Sequence, residues 1–218
     1  MGEFDVVSAP GIEARVYVAG DAAGGAGVAV LHPWWGLNAD ALAFSDRLAA
    51  AGYAVAAPDL YHGDVVDTVE AADQRVGQLN AEEGSTIVNA ALADLAARLG
   101  PGARIAVLGF SLGASFAIGA GHPVVRGTIL YYGTGDPSVA HGAGPVLGHF
   151  AEADPYEDAD WVAQFEGALR SQGRDVAFHH YPRTGHGFAE PSRDAYRAEA
   201  AELAFARTLE FLDRSLRA

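Results

Sequence analysis

Apolar residues along the chain fall into two alternating patterns. Short, nearly continuous runs occupy residues 28–31, 53–57, 105–108, 128–132, 145–147 and 176–181. Unbroken apolar runs of this length predict strands covered on both faces, the habit of parallel strands. A weaker strand is expected around residues 14–18. Between the runs the spacing becomes helical. Residues 39–51 are preceded by Asn38 as N-cap and followed by Gly52. Residues 86–99 put Val88, Leu92, Leu95 and Leu99 on one face, with Ser85 before them and Gly100 and Pro101 after. Phe205, Leu209, Leu212 and Leu216 make a third stripe near the end. Such stripes are core faces. A further helix is expected over residues 159–169, with Asp158 placed to cap it, and a short polar one within 63–84. The alternation predicts an α/β fold with a mainly parallel sheet and helices on both faces. No repeat, linker or compositional break divides residues 1–218, so one domain is expected.

Charge and composition narrow the function classes. A formal net charge of −14 disfavours nucleic acid, whose phosphates need Lys and Arg to displace counterions, and an anionic membrane surface as well. The absence of cysteine removes disulfides, thiolate nucleophiles and cysteine-bound metals. The start, Met1-Gly2-Glu3-Phe4-Asp5, has neither a basic segment nor an apolar run, so no secretory signal is read there, and Val6 breaks the myristoylation pattern. Residues 105–125 are uncharged over a length that could span a bilayer. Gly109, Gly113, Gly119, Gly121 and Pro123 interrupt them, favouring a buried strand, a tight turn and a buried helix instead. A soluble, cytoplasmic protein is expected.

The turn inside that stretch carries the chemistry. Gly109-Phe110-Ser111-Leu112-Gly113 matches G-x-S-x-G, directly after a strand and before a small-residue helix. A serine there sits on a sharp turn, with a helix N-terminus behind it to stabilise a developing oxyanion. Its hydroxyl needs a general base, and six histidines are candidates: His122, His141, His149, His179, His180 and His186. His179 and His180 are adjacent on a strand and must face opposite ways. His149 reads as a core residue at a strand end. His186, in Gly185-His186-Gly187-Phe188 just past the last strand, is best placed. For the acid, Asp154 before Pro155 suits a rigid turn after a strand, with Glu152, Asp158 and Asp160 as alternatives. No His-x-His or His-Glu-x-x-His spacing suggests a metal, and no nucleotide-binding glycine motif suggests a cofactor.

Beyond these residues, the chain resembles the dienelactone hydrolase family of the α/β-hydrolase superfamily. The likeness rests on Leu31-His32-Pro33-Trp34-Trp35-Gly36-Leu37-Asn38, Ala57-Pro58-Asp59-Leu60-Tyr61, the elbow, Gly148-His149-Phe150 through Asp154-Pro155, and Gly185-His186-Gly187-Phe188. It implies an α/β-hydrolase fold and a triad of Ser111, His186 and Asp154, and the segment between Tyr132 and Gly144 is too short for a separate lid domain. It also implies an oxyanion hole from the backbone N–H groups of Leu112 and Trp34. The best-known members carry cysteine where Ser111 stands, and a glutamate at the position of Pro33. Their substrate-binding arginines would fall near Glu190, which has the opposite charge, and around Arg75, where the match is poor. The resemblance therefore implies hydrolysis of small esters or lactones, with an altered substrate. Trp35, Tyr61 and Phe188 are candidates for an apolar pocket, or for core. The alternative is a catalytically silent ligand-binding module on the same fold. Oligomeric state is not legible.

Overall fold

The computed structural model describes residues 1–140 and 144–217, so His141 lies outside the described residues. The strands are β1 (Glu3–Ala9), β2 (Ile12–Ala19), β3 (Ala26–Leu31), β4 (Ala54–Pro58), β5 (Arg104–Phe110), β6 (Val125–Tyr131), β7 (Val146–Ala153) and β8 (Val176–Gly185). The helices are α1 (Ala39–Ala50), α2 (Val69–Gln78), α3 (Ala81–Leu99), α4 (Leu112–Gly119), α5 (Ala159–Ser171) and α6 (Ala198–Leu216). The strands form one sheet in the order β1-β2-β4-β3-β5-β6-β7-β8. β2 pairs antiparallel with both β1 and β4, and β4 through β8 are joined by parallel ladders. The mainly parallel α/β sheet read from the sequence is thus present, with an antiparallel hairpin added at one edge.

Two cores lie on opposite faces, and side chains alternate between them along each strand. Val28, Val30, Ala106 and Leu108 face α1 and α6, where Phe44, Leu48, Phe205 and Leu212 complete the layer. Ala29, Leu31, Ile105 and Val107 face α3, α4 and α5, meeting Leu92, Leu95, Ile118 and Phe165. Both faces of the central strands are therefore buried, which explains their unbroken apolar runs.

Capping residues set several helix starts. The side chains of Asn38 and Asp158 accept backbone N–H bonds at the starts of α1 and α5, as expected from the sequence. α3 begins at Ala81 instead of Thr86, because Asn80 accepts from the N–H groups of Glu82 and Glu83. Its first turn is polar and largely exposed, so no apolar stripe announces it. Among the described residues, no helix is long and apolar enough to cross a membrane.

Candidate active site

The three residues of the expected triad come from three strand ends on one side of the sheet. β5 ends at Phe110, and Ser111 follows with φ 48° and ψ −113°. Few side-chain-bearing residues adopt a positive φ, so this backbone is held by its surroundings. Those surroundings are glycines. A Cβ on Gly109 would lie 2.2 Å from the Gly113 carbonyl oxygen, and one on Gly113 would lie 2.3 Å from that of Leu31. A Cβ on Gly133 would meet the Ser111 carbonyl oxygen at 2.5 Å. The elbow is thus packed backbone to backbone against the ends of β3 and β6.

Register brings the other two residues together. β7 and β8 run on past the sheet's centre, and their last paired residues are Ala153 and Gly185. The next residues, Asp154 and His186, therefore leave adjacent strands side by side. His186 Nδ1 lies 3.0 Å from Asp154 Oδ1 and 2.9 Å from Oδ2, and its Nε2 lies 2.8 Å from Ser111 Oγ. Asp154 Oδ1 also accepts the backbone N–H groups of Tyr156 at 2.9 Å and Glu157 at 3.2 Å. The Asp154 side chain is only 2% exposed and that of His186 12%, so their interaction is shielded from water while the imidazole can still be reached. This arrangement can relay a proton from the serine hydroxyl and hold the imidazole in one tautomer.

Among the described residues, His149, His179, His180, Glu152, Asp158 and Asp160 make their contacts elsewhere. Fully buried His149 pairs with the Tyr181 hydroxyl at 2.8 Å and with Thr208 Oγ1 at 3.1 Å. Burial lowers its pKa, and the neighbouring His179 and Arg207 act in the same direction. His179 stacks on His149 and His180 on Phe150, on opposite sides of the strand. Glu152 accepts from the Arg183 N–H, and Asp158 and Asp160 sit at the start of α5.

Leu112 is the first residue of α4, and no earlier residue of the helix can accept its N–H. Trp34 lies in the turn after β3. Its ring packs edge-on against Tyr156 at 5.3 Å, and Tyr156 in turn packs against His186 at 4.9 Å. Among the described residues, neither the Leu112 nor the Trp34 N–H donates to a protein acceptor.

The pocket candidates divide. Tyr61 and Phe188 are both fully buried, one in each core, so neither presents surface to a substrate. Their place in the motifs suggests the pocket, but packing claims their side chains. Trp35 is half-buried, with the Arg193 guanidinium 3.8 Å above its ring. Arg75 is committed to the loop after β4, donating to the Tyr61 carbonyl at 3.0 Å and to Asp64 at 3.1 Å.

Tyr132 and Glu157 carried no sequence signal for a role here. Tyr132, with φ 37°, packs its ring 5.2 Å from His186. Glu157 accepts from the Thr134 N–H and hydroxyl beside the triad, and burial raises its pKa despite those bonds. Glu190 is 4% exposed. Burial pushes its carboxyl up to about 7, moderated by Tyr132, Arg193 and His186.

A fold of this kind with a serine elbow defines a hydrolase scaffold, and the comparisons with known proteins agree. Residues 12–216 match the model of the dienelactone hydrolase family, to which the chain belongs. A Bradyrhizobium protein named "Probable 2-oxo-3-(5-oxofuran-2-ylidene)propanoate lactonase" is 31% identical over 123 residues, 50% of each chain. A Methylorubrum extorquens protein named "Putative carboxymethylenebutenolidase" is 32% identical over 177 residues, 72% of this chain and 60% of its own. The match thus spans about half to three-fifths of those two relatives. A dienelactone hydrolase-like promiscuous phosphotriesterase, P91 from metagenomic libraries, superposes with a TM-score of 0.84 at 18% identity, covering 99% of this chain and 98% of its own.

Proposed function

We propose that the chain is a serine hydrolase that cleaves small carboxylic esters or lactones through an acyl-enzyme on Ser111. The observation that carries this reading is the continuous bond chain from Asp154 through His186 to the Ser111 hydroxyl. Ser111 Oγ attacks the substrate carbonyl carbon while His186 Nε2 takes its proton, and Asp154 stabilises the resulting imidazolium. The tetrahedral oxyanion is held by the Leu112 and Trp34 N–H groups, each worth roughly 3 kcal/mol in comparable sites. Collapse restores the carbonyl and breaks the bond between the acyl carbon and the alkoxy oxygen, and the leaving alcohol takes the proton from His186. In a lactone that alcohol remains tethered to the acyl group. Water then attacks the acyl-enzyme, giving a proton to His186, which returns it to Ser111 as the acid departs.

Serine in place of the cysteine of the best-known members fits Pro33 in place of a glutamate. A hydroxyl activated by His186 needs no second carboxylate to form a thiolate. Small substrates fit the short connection after β6, where residues 132–140 hold only one 3-10 turn, Pro137–Val139. The name of the Bradyrhizobium relative, a probable lactonase, supports lactones within that class.

The test is hydrolysis of p-nitrophenyl acetate and a panel of small lactones by wild type and Ser111→Ala. Activity abolished by the substitution is expected, and full activity in the variant refutes the reading. A fluorophosphonate should label Ser111; complete failure to label favours a silent ligand-binding protein instead.

A further inference from the structure

The two proposed oxyanion donors are held in different ways. The Leu112 N–H is fixed by α4. The Trp34 N–H belongs to a turn just past β3, where no sheet ladder fixes it. The Pro33–Trp34 peptide is anchored from its other side. The Pro33 carbonyl lies 2.7 Å from His32 Nδ1 and accepts the Gly36 N–H at 3.1 Å. The peptide is trans, so its C=O and N–H point in opposite directions within one rigid plane. Anchoring the carbonyl therefore aims the N–H.

The roles of the two ring nitrogens of His32 follow from their partners. The Pro33 carbonyl can only accept, so Nδ1 carries the proton. The Leu60 N–H can only donate, and it reaches Nε2 at 3.1 Å. The neutral ring is 0% exposed and packs edge-on against Tyr61 at 4.9 Å. It thus bridges the end of β3 to the residues just past β4. The first turn of α4 lies against the same backbone, since a Cβ on Gly113 would sit 2.8 Å from the His32 carbonyl oxygen.

We propose that His32 is a positioning residue of the oxyanion hole: its Nδ1–H holds the Pro33 carbonyl and so aims the Trp34 N–H at the tetrahedral oxygen formed on Ser111. The assignment rests on Ser111 being the nucleophile. His32 touches no substrate and exchanges no proton; it acts through the peptide plane alone.

Two variants separate this role from simple core packing. His32→Asn sets an amide nitrogen near the Nδ1 position and keeps a donor for Pro33. His32→Gln reaches toward the Nε2 position and keeps a group beside Leu60, but loses the donor to Pro33. Steady-state hydrolysis of p-nitrophenyl acetate is compared among wild type, both variants and Ser111→Ala. His32→Gln should lower kcat by about 100-fold, as loss of an oxyanion donor does, with KM changed by less than about twofold. His32→Asn should keep kcat within about fivefold of wild type. Equal kcat losses in the two variants, or wild-type kcat in His32→Gln, overturn the assignment while Ser111-dependent turnover stands. Turnover that survives Ser111→Ala sinks the nucleophile and this assignment together. Should either variant fail to fold, nitrogen NMR of the wild-type histidines decides independently. His32 must be the Nδ1–H tautomer at neutral pH, and an Nε2–H tautomer overturns the proposal.

Discussion

Replacing Glu190 with glutamine should make the protein more stable at alkaline pH and leave it little changed at acidic pH. The carboxyl is 4% exposed, and Oε2 has no hydrogen-bond partner. The Tyr132 hydroxyl is close enough to moderate the charge, yet the two groups miss bonding geometry and Tyr132 Oη is itself buried without a partner. A cavity of about 10 Å³ between Pro33, Asn38, Asp40 and Glu190 leaves room for one water at most. Ionisation is therefore poorly solvated, and the carboxyl is pushed from 4.5 to about 7. Within that window the folded chain holds a proton that the unfolded chain has released. Stability thus falls as pH rises, by about 1.4 kcal/mol for each pH unit and roughly 3 kcal/mol across the whole window. The assay is urea unfolding of wild type and Glu190→Gln at pH values below, within and above this window. Constant offsets from the amide cancel, because the measurement is the change of the difference with pH. The stability gained by the variant should grow from pH 4.5 to about 7 and then level off. A difference independent of pH, or one that shrinks over this range, refutes the reasoning.

Two further substitutions probe the elbow and its partners. In Asp154→Asn, the Tyr156 and Glu157 N–H groups that bond Oδ1 hold the amide oxygen there, leaving the NH2 to face His186 Nδ1. The imidazole is forced into the wrong tautomer, and steady-state kinetics should show kcat reduced by about 10⁴ with the fold intact by circular dichroism. In Gly113→Ala, the new Cβ falls 2.3 Å from the Leu31 carbonyl oxygen, and backbone must move. Calorimetry should show a loss of about 3 kcal/mol, a Tm lower by roughly 6–12 °C.

The site was more legible than the sheet that carries it. Ser111, Asp154 and His186 each sit where a strand gives way to a turn, and Gly, Pro and the end of an apolar run mark such places locally. The strands around them outrun their apolar stretches. β7 continues to Ala153 and β8 to Gly185, although Glu152, Pro182 and Arg183 are exposed. Their pairing with each other, a tertiary effect, extends them. β1 escapes sequence reading for a related reason: it is an edge strand with Phe4 and Val6 exposed and only Val7 buried, so no apolar run marks it. Tyr61 and Phe188 show the limit of motif reasoning, since a motif locates a backbone but not which of its side chains turns inward. His32 stands within a family motif without an evident role, because its meaning depends on where a carbonyl points.

The backbone of Ser111 has a consequence for how the chain could change. A residue at φ 48° is strained for any side chain and relaxed for glycine. Selection for stability alone would therefore favour glycine in place of the serine here, and on the proposed mechanism turnover opposes it. On that mechanism, a lineage released from the pressure should lose its nucleophile early and keep its fold.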